Sequence, residues 1–214
     1  MRAFTTVHGV AAWLDRSDVD TDLIIRIERL TGGDLTGLGR YALEALRFRK
    51  DGGEEPDFVL NKPGYRGAPI LIAGPNFGCG SSREPAVNAL MALGVEAIIA
   101  PSFGDIFYAN CFQVGLLPVR LPEAEVRRLG AEAAAAPADF TVDLEAQRVV
   151  APSGACFAFD IDGRRRTMML EGLDEIGLTL KEAAAIAGWQ AGDRIARPWI
   201  WEPVAQDIET RTRS

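Results

Sequence analysis

Two serines and an arginine stand in a row at Ser81-Ser82-Arg83, behind glycines at Gly78 and Gly80 and ahead of Glu84 and Pro85. Hydroxyls beside a guanidinium can hold an anion, and a suitably placed hydroxyl can also take part in proton transfer next to it. The stretch lies between an apolar run, residues 68–73, and an apolar-periodic run, residues 86–93. These predict a buried strand and a helix. The turn therefore delivers its polar side chains to a helix N-terminus, where backbone N–H groups and the dipole favour negative charge.

Pro85 limits where that helix begins, because proline lacks an N–H and fits only the first helical turn. With Ser81 as N-cap, Pro85 would be the fourth helical residue and would break the bond back to the Ser81 carbonyl. The sequence predicts a cap at Ser82 or later, with the Ser81 hydroxyl left to face a ligand.

Three readings of the turn fit the residues alone. It is a structural helix start, with a serine cap and Arg83 in water. It is a phosphate or nucleotide site, although it lacks a P-loop lysine and the glycine spacing of a dinucleotide fold. Or it is an acid-binding catalytic turn, with one serine as proton acceptor and Arg83 clamping a carboxylate. A second polar stretch, Asp15-Arg16-Ser17-Asp18-Val19-Asp20-Thr21-Asp22, reads as a turn-rich connection held by Asx-type bonds. It has no glycine or glutamate at calcium-loop offsets. Cys79, Cys111 and Cys156 are too scattered for a disulfide framework or an iron–sulfur ligand set, and His8 stands alone. No metal site is expected, and proton transfer beyond His8 falls to carboxylates, Tyr, Lys or activated hydroxyls.

The chain that positions these groups has 214 residues, 48% hydrophobic and 25% charged, enough for one large domain or two small ones. A net charge of -7 argues against nucleic-acid or anionic-membrane partners. It leaves room for an anionic substrate, since a local arginine and helix-end amides outweigh a global excess of acid. No apolar run approaches membrane-spanning length and the start shows no export pattern, so a cytoplasmic protein is expected.

Residues 4–14 read as a β segment broken by Gly9, and 23–25 as a short strand or strand end. Residues 31–39 form a glycine-rich loop, 40–48 have helical spacing, and 57–60 read as extended. Past the central helix, Gly94 fits a C-terminal cap. Residues 95–100 form a continuous apolar strand of the parallel kind. A helix over 105–113 ends at Gly115, and a strand over 116–121 carries Pro118, which suggests an edge. A helix follows over 122–136. Strand–helix–strand–helix–strand over 68–121 makes two right-handed crossover units. A hairpin of 140–144 with 148–151 and a strand at 157–161 follow. Thr179-Leu180-Lys181-Glu182 reads as a capping box opening a helix to Trp189. There is no internal repeat. The fold class is α/β, with a mixed, partly parallel sheet flanked by helices in one domain over 1–202, and a polar, frayed tail over 203–214.

Asn76-Phe77-Gly78-Cys79-Gly80-Ser81-Ser82-Arg83-Glu84 closely resembles the signature of the small subunits of 3-isopropylmalate dehydratase, a turn that also occurs in the swivel domain of aconitases. Three further stretches resemble the same family in the same order: Asp18-Val19-Asp20-Thr21-Asp22-Leu23-Ile24-Ile25, Pro101-Ser102-Phe103-Gly104-Asp105-Ile106-Phe107-Tyr108-Ala109-Asn110-Cys111-Phe112 with Gly115-Leu116-Leu117-Pro118, and Leu173-Asp174-Glu175-Ile176-Gly177-Leu178-Thr179-Leu180. The resemblance implies a swivel-type domain that binds no cofactor itself and pairs with a large subunit holding a four-iron, four-sulfur cluster. It implies dehydration and rehydration of a hydroxy-diacid in leucine biosynthesis. Ser81 would be the base, and Ser82 and Arg83 would bind a substrate carboxylate. Arg16, Asp20, Thr21 and Asp22 would border the same cleft, with Arg16 able to bind by charge and the acids positioning it or the loop. In relatives the loop after the first motif faces the substrate's side group; here that is residues 31–39.

The chain departs from the family pattern at Pro85, usually His, at Asn88, usually Trp, at Arg26, usually Pro, and at Asp18, usually Asn. These changes bear on the pocket or the large-subunit contact and leave Ser81, Ser82 and Arg83 in place. Two alternatives stand beside the leading expectation. One is a paralogous small subunit for another 2-hydroxy diacid, such as a methylmalate or homoaconitate. The other is a non-catalytic anion-binding subunit.

Overall fold

The structure, a computed structural model, describes residues 1–30 and 37–201. The chain divides into two compact units, Met1–Asp174 and Glu175–Ser214. The expected tail, 203–214, and most of the loop at 31–39 lie outside the described residues.

The first unit is built on a seven-stranded sheet. Its strands are β1 (Thr6–Leu14), β2 (Ile70–Ala73), β3 (Ala97–Ala100), β4 (Leu117–Arg120), β5 (Asp139–Asp143), β6 (Arg148–Val150) and β7 (Cys156–Ala158), in the order β4-β3-β2-β1-β5-β6-β7. Pairs β1–β2, β2–β3 and β3–β4 are parallel, and β1–β5, β5–β6 and β6–β7 are antiparallel. The mixed sheet is as the sequence indicates. Ile70–Ala73 and Ala97–Ala100 are buried along their whole length, the mark of parallel strands covered on both faces. Pro118 lies on the edge strand, where its missing N–H costs no ladder bond. β1 runs unbroken through Gly9, whose φ of 157° L side chains rarely adopt and whose missing side chain leaves room for Pro69.

The helices of this unit are α1 (Thr21–Ile24), α2 (Glu44–Arg47), α3 (Glu84–Leu93), α4 (Asp105–Val114), α5 (Glu123–Ala135) and α6 (Gly163–Glu171). Gly94 and Gly115 close α3 and α4 in the left-handed conformation, as their positions suggest. Residues 23–25 are not a strand. The Asp20 carboxylate accepts a bond from the Leu23 N–H at 2.7 Å, and that cap winds the apolar run into α1. The helical spacing of 40–48 is interrupted at Leu43, a buried residue at φ 53°, so only Glu44–Arg47 forms an α-helix. Residues 57–60 do not extend: Val59–Asn61 is a 3-10 turn, tied down by the Asn61 amide, which donates to the Arg47 and Glu55 carbonyls.

The second unit carries α7 (Glu175–Leu180), α8 (Ala183–Ala196) and α9 (Pro198–Trp201). The capping box does not form. Thr179 lies inside α7 and donates its hydroxyl back to the Glu175 carbonyl at 2.8 Å, and α8 has Glu182 as its N-cap with no side-chain cap bond. Near the C-terminal end of α8 the Asp193 carboxylate accepts bonds from Arg197 and from the Trp201 indole at 2.9 Å. No helix among the described residues is long and apolar enough to cross a membrane.

Candidate active site

Parallel strands present their C-terminal ends to one edge of the sheet, and the loops that follow them meet there. The loop after β1 holds residues 15–20, the loop after β2 holds 74–83, and the loop after β3 holds 101–104. Backbone pairing continues past the strands. Phe77 bridges Phe103 in parallel, and Cys79 bridges Asp20 in parallel. The Gly78 N–H donates to the Val19 carbonyl at 2.7 Å, and the Gly74 N–H to the Arg16 carbonyl at 3.1 Å. The serine turn is thus clamped between two neighbouring loops.

Glycine is required where these backbones touch. A Cβ on Gly104 would stand 2.5 Å from the Gly78 carbonyl oxygen, and one on Gly78 would run into the Phe107 ring. Gly78 also holds a φ of 72°, which an L side chain adopts only with strain. Phe107 stacks with Phe103 and meets Phe77 edge-on, an apolar floor under the turn.

Helix α3 starts from Arg83 as N-cap, one residue beyond the earliest position that Pro85 permits by its place in the helix. Pro85 becomes the second helical residue, where no bond is lost, while the Ala86 N–H donates to the Arg83 carbonyl at 3.1 Å. No side chain caps this helix. Ser81 and Ser82 both precede the cap and are exposed.

The structure brings most of the expected site residues together. Thr21 donates its N–H to the Cys79 carbonyl at 2.9 Å and its hydroxyl to the Ser81 carbonyl at 3.0 Å. Asp22 accepts from the Arg83 guanidinium, which also donates to the Ile25 carbonyl at 3.5 Å. The Arg83 side chain is only 15% exposed, against 58% for Asp22, so the guanidinium is the more buried member of the pair. Asp20 caps α1 with its carboxylate. Arg16 is exposed, its backbone fixed beside Gly74. His8, by contrast, lies on β1 opposite β5, with its ring 2.9 Å from the Thr141 hydroxyl.

Two residues contribute that spacing alone did not single out. Ser102 accepts the Asn76 N–H on its hydroxyl at 2.8 Å and the Phe77 N–H on its carbonyl at 3.0 Å. Asn76 donates its side-chain amide to Asp18 at 2.6 Å. The available signal was a pair of polar residues, each flanking a glycine-containing turn. Cys79 lies between the same loops, and partial burial, then the Asp20 and Asp18 carboxylates, push its thiol above the usual range. Cys111 is fully buried and its thiol is pushed up by that burial, while Cys156 is exposed. The three free cysteines do not gather, and among the described residues no group of three or more His, Cys, Asp or Glu is placed to hold a metal ion.

Comparison with known proteins places this geometry among relatives. The family model described as aconitase C-terminal domain matches residues 1–124, and LeuD_N matches 127–163. A 3-isopropylmalate dehydratase small subunit from Rhodospirillum centenum is 50% identical over 93% of this chain and 98% of its own. One from Dinoroseobacter shibae is 47% identical over 94% of this chain and 100% of its own. A crystal structure of 3-isopropylmalate dehydratase (leuD) from Methanocaldococcus jannaschii superposes with a TM-score of 0.60 at 27% identity, covering 86% of this chain and 99% of that one.

Proposed function

The chain belongs to the family of 3-isopropylmalate dehydratase small subunits, built on the aconitase C-terminal domain, and from that membership we propose that it is the small subunit of a 3-isopropylmalate dehydratase in leucine biosynthesis. In this reading it works in the cytoplasm as a heterodimer with a large subunit, as a hydro-lyase on a hydroxy-diacid, without a nucleic-acid or membrane partner.

The observation that carries the reading is the state of Ser81. Its backbone is held by Thr21, yet its exposed hydroxyl is not used to cap α3. Ser81 takes the proton α to a substrate carboxylate. A serine is a weak base at its ordinary pKa, so in this reading its alkoxide is stabilised by the positive end of α3 and by the charge of Arg83. Arg83 and Ser82 bind one substrate carboxylate, and Arg16 attracts the charge of the diacid from the loop after β1. Asp20, Thr21 and Asp22 border the cleft on α1 and its cap.

In this reading the large subunit carries the four-iron, four-sulfur cluster that the family resemblance implies, and the cluster would supply the Lewis acid that activates the leaving hydroxyl. The test is anaerobic co-expression with the large subunit, followed by assay against a panel of hydroxy-diacids. Turnover of isopropylmalate above the other diacids supports the reading. Preference for a methylmalate or homoaconitate, or no turnover of any diacid, overturns it.

A further inference from the structure

Helix α1 is too short to be stabilised by its own hydrogen bonds. It is held instead by the serine turn, and its contacts fall on every second residue of that turn. Asp20 pairs with Cys79 through the backbone, Thr21 bonds the Cys79 and Ser81 carbonyls, and Asp22 bonds the Arg83 guanidinium. The side chains on α1 are not equivalent. Thr21 is 1% exposed and donates both its N–H and its hydroxyl to the turn, so it has no face left for a substrate. Asp20 has a carboxylate oxygen engaged in the cap of its own helix. Asp22 is a carboxylate, which would repel a diacid, and it faces the one guanidinium of the serine turn.

Resting on the reading above, we propose that Thr21 and Asp22 are positioning residues with divided duties: Thr21 sets Ser81 for proton transfer, and Asp22 sets the Arg83 fork for the substrate carboxylate. The division follows from the contacts. The Thr21 hydroxyl bonds the backbone of the base, so its loss lets the base drift from the carbon it deprotonates. A misplacement on the order of 1 Å at a reacting group lowers the rate steeply. The Asp22 carboxylate bonds the guanidinium, and a guanidinium recognises a carboxylate through a fixed planar fork, so its loss costs orientation and therefore affinity. Removal of Asp22 also removes a negative charge, which by itself would favour a dianion. The sign of the effect on affinity therefore separates orientation from charge.

The experiment uses the complex reconstituted with the large subunit. Thr21→Val is expected to lower kcat by about tenfold and to leave KM within about threefold, with Thr21→Ser recovering most of the rate. Asp22→Ala is expected to raise KM by about tenfold with kcat within about threefold, and Asp22→Asn, which keeps an acceptor of the same shape without the charge, to recover most of that loss. Both substitutions moving the same constant, or Asp22→Ala lowering KM, overturns the division of duties.

Two readouts need no turnover. Amide exchange in the segment 79–83 rises in Thr21→Val while that of 97–100 does not. Phenylglyoxal modifies Arg83 faster in Asp22→Ala. Unchanged exchange at 79–83, or unchanged Arg83 reactivity, overturns the corresponding assignment. A parent complex that turned over no diacid would remove the proposed function, while these two readouts would still decide the positioning.

Discussion

Asp18 and Asn76 lie 58 residues apart, and both adopt the left-handed conformation, at φ 52° and 61°, where the Asn76 amide donates to the Asp18 carboxylate at 2.6 Å. The Asp18 N–H closes the pair onto the Pro75 carbonyl at 3.0 Å. Asx residues tolerate this region better than other side chains, because their short polar groups bond locally. The loops after β1 and β2 are joined here, just ahead of the segment that presents Ser81.

Asn76→Ala therefore loses the amide bond and keeps the unfavourable φ, and is expected to destabilise the chain by about 1–2 kcal/mol. Asn76→Gly loses the same bond but relieves the backbone, and is expected to recover about 1 kcal/mol of that loss. Urea denaturation of the two variants beside the parent gives the order directly.

Gly78→Ala places a methyl against the Phe107 ring at a φ of 72°. A cost of about 2–4 kcal/mol is expected from overpacking and backbone strain together. Combining it with Phe107→Ala makes room for the methyl, so the double variant is expected to lose less than the sum of the two single losses in a double-mutant cycle.

Pro85 is the second residue of α3, where its ring fits and its missing N–H is no loss. Pro85→Ala is expected to lower stability by about 0.5 kcal/mol, through the greater freedom of the unfolded chain. Ala86→Pro moves the ring one position on. It removes the N–H that bonds the Arg83 carbonyl at a buried site, and is expected to cost clearly more. Thermal melts of both variants check the order.

The same proline shows what the sequence could reveal. It excluded Ser81 as the cap without any knowledge of the fold, because a missing N–H is a local property. The parallel strands Ile70–Ala73 and Ala97–Ala100 and the glycine ends of α3 and α4 were legible for the same reason. Where spacing misled, a distant or competing bond decided the outcome. Leu23-Ile24-Ile25 has the composition of a strand, but the Asp20 cap winds it into α1. Leu43 breaks a helical pattern because its left-handed backbone lets its N–H reach the Ile24 carbonyl at 2.8 Å. Thr179 has the spacing of a capping box and lies inside a helix instead. The resemblance brought the motifs around Asp20 and Ser81 together, but the pairings of Thr21 with Ser81 and Asp22 with Arg83 cross 60 and 61 residues and arise only from the fold.

The thiol of Cys79 reports the charge of the site. Partial burial and the carboxylates of Asp20 and Asp18 raise its pKa, so less thiolate is present at any given pH than for an ordinary cysteine. Asp20→Asn removes a negative charge, lowers that pKa and moves the pH profile of Cys79 alkylation to lower pH. Peptide mapping after iodoacetamide treatment at several pH values separates Cys79 from the exposed Cys156, which is expected to react first, and from the buried Cys111, which is expected not to react in the folded chain.

The assignment of Ser81 as the base is the claim on which the catalytic account depends. Its most direct test is the turnover of Ser81→Ala in the anaerobically reconstituted complex, with the variant's unfolding temperature shown to match the parent's. The account predicts a fall in kcat of about 10²–10⁴, with KM changed far less, since the lost group acts on the proton and not on the carboxylates. Turnover at the parent rate would contradict it.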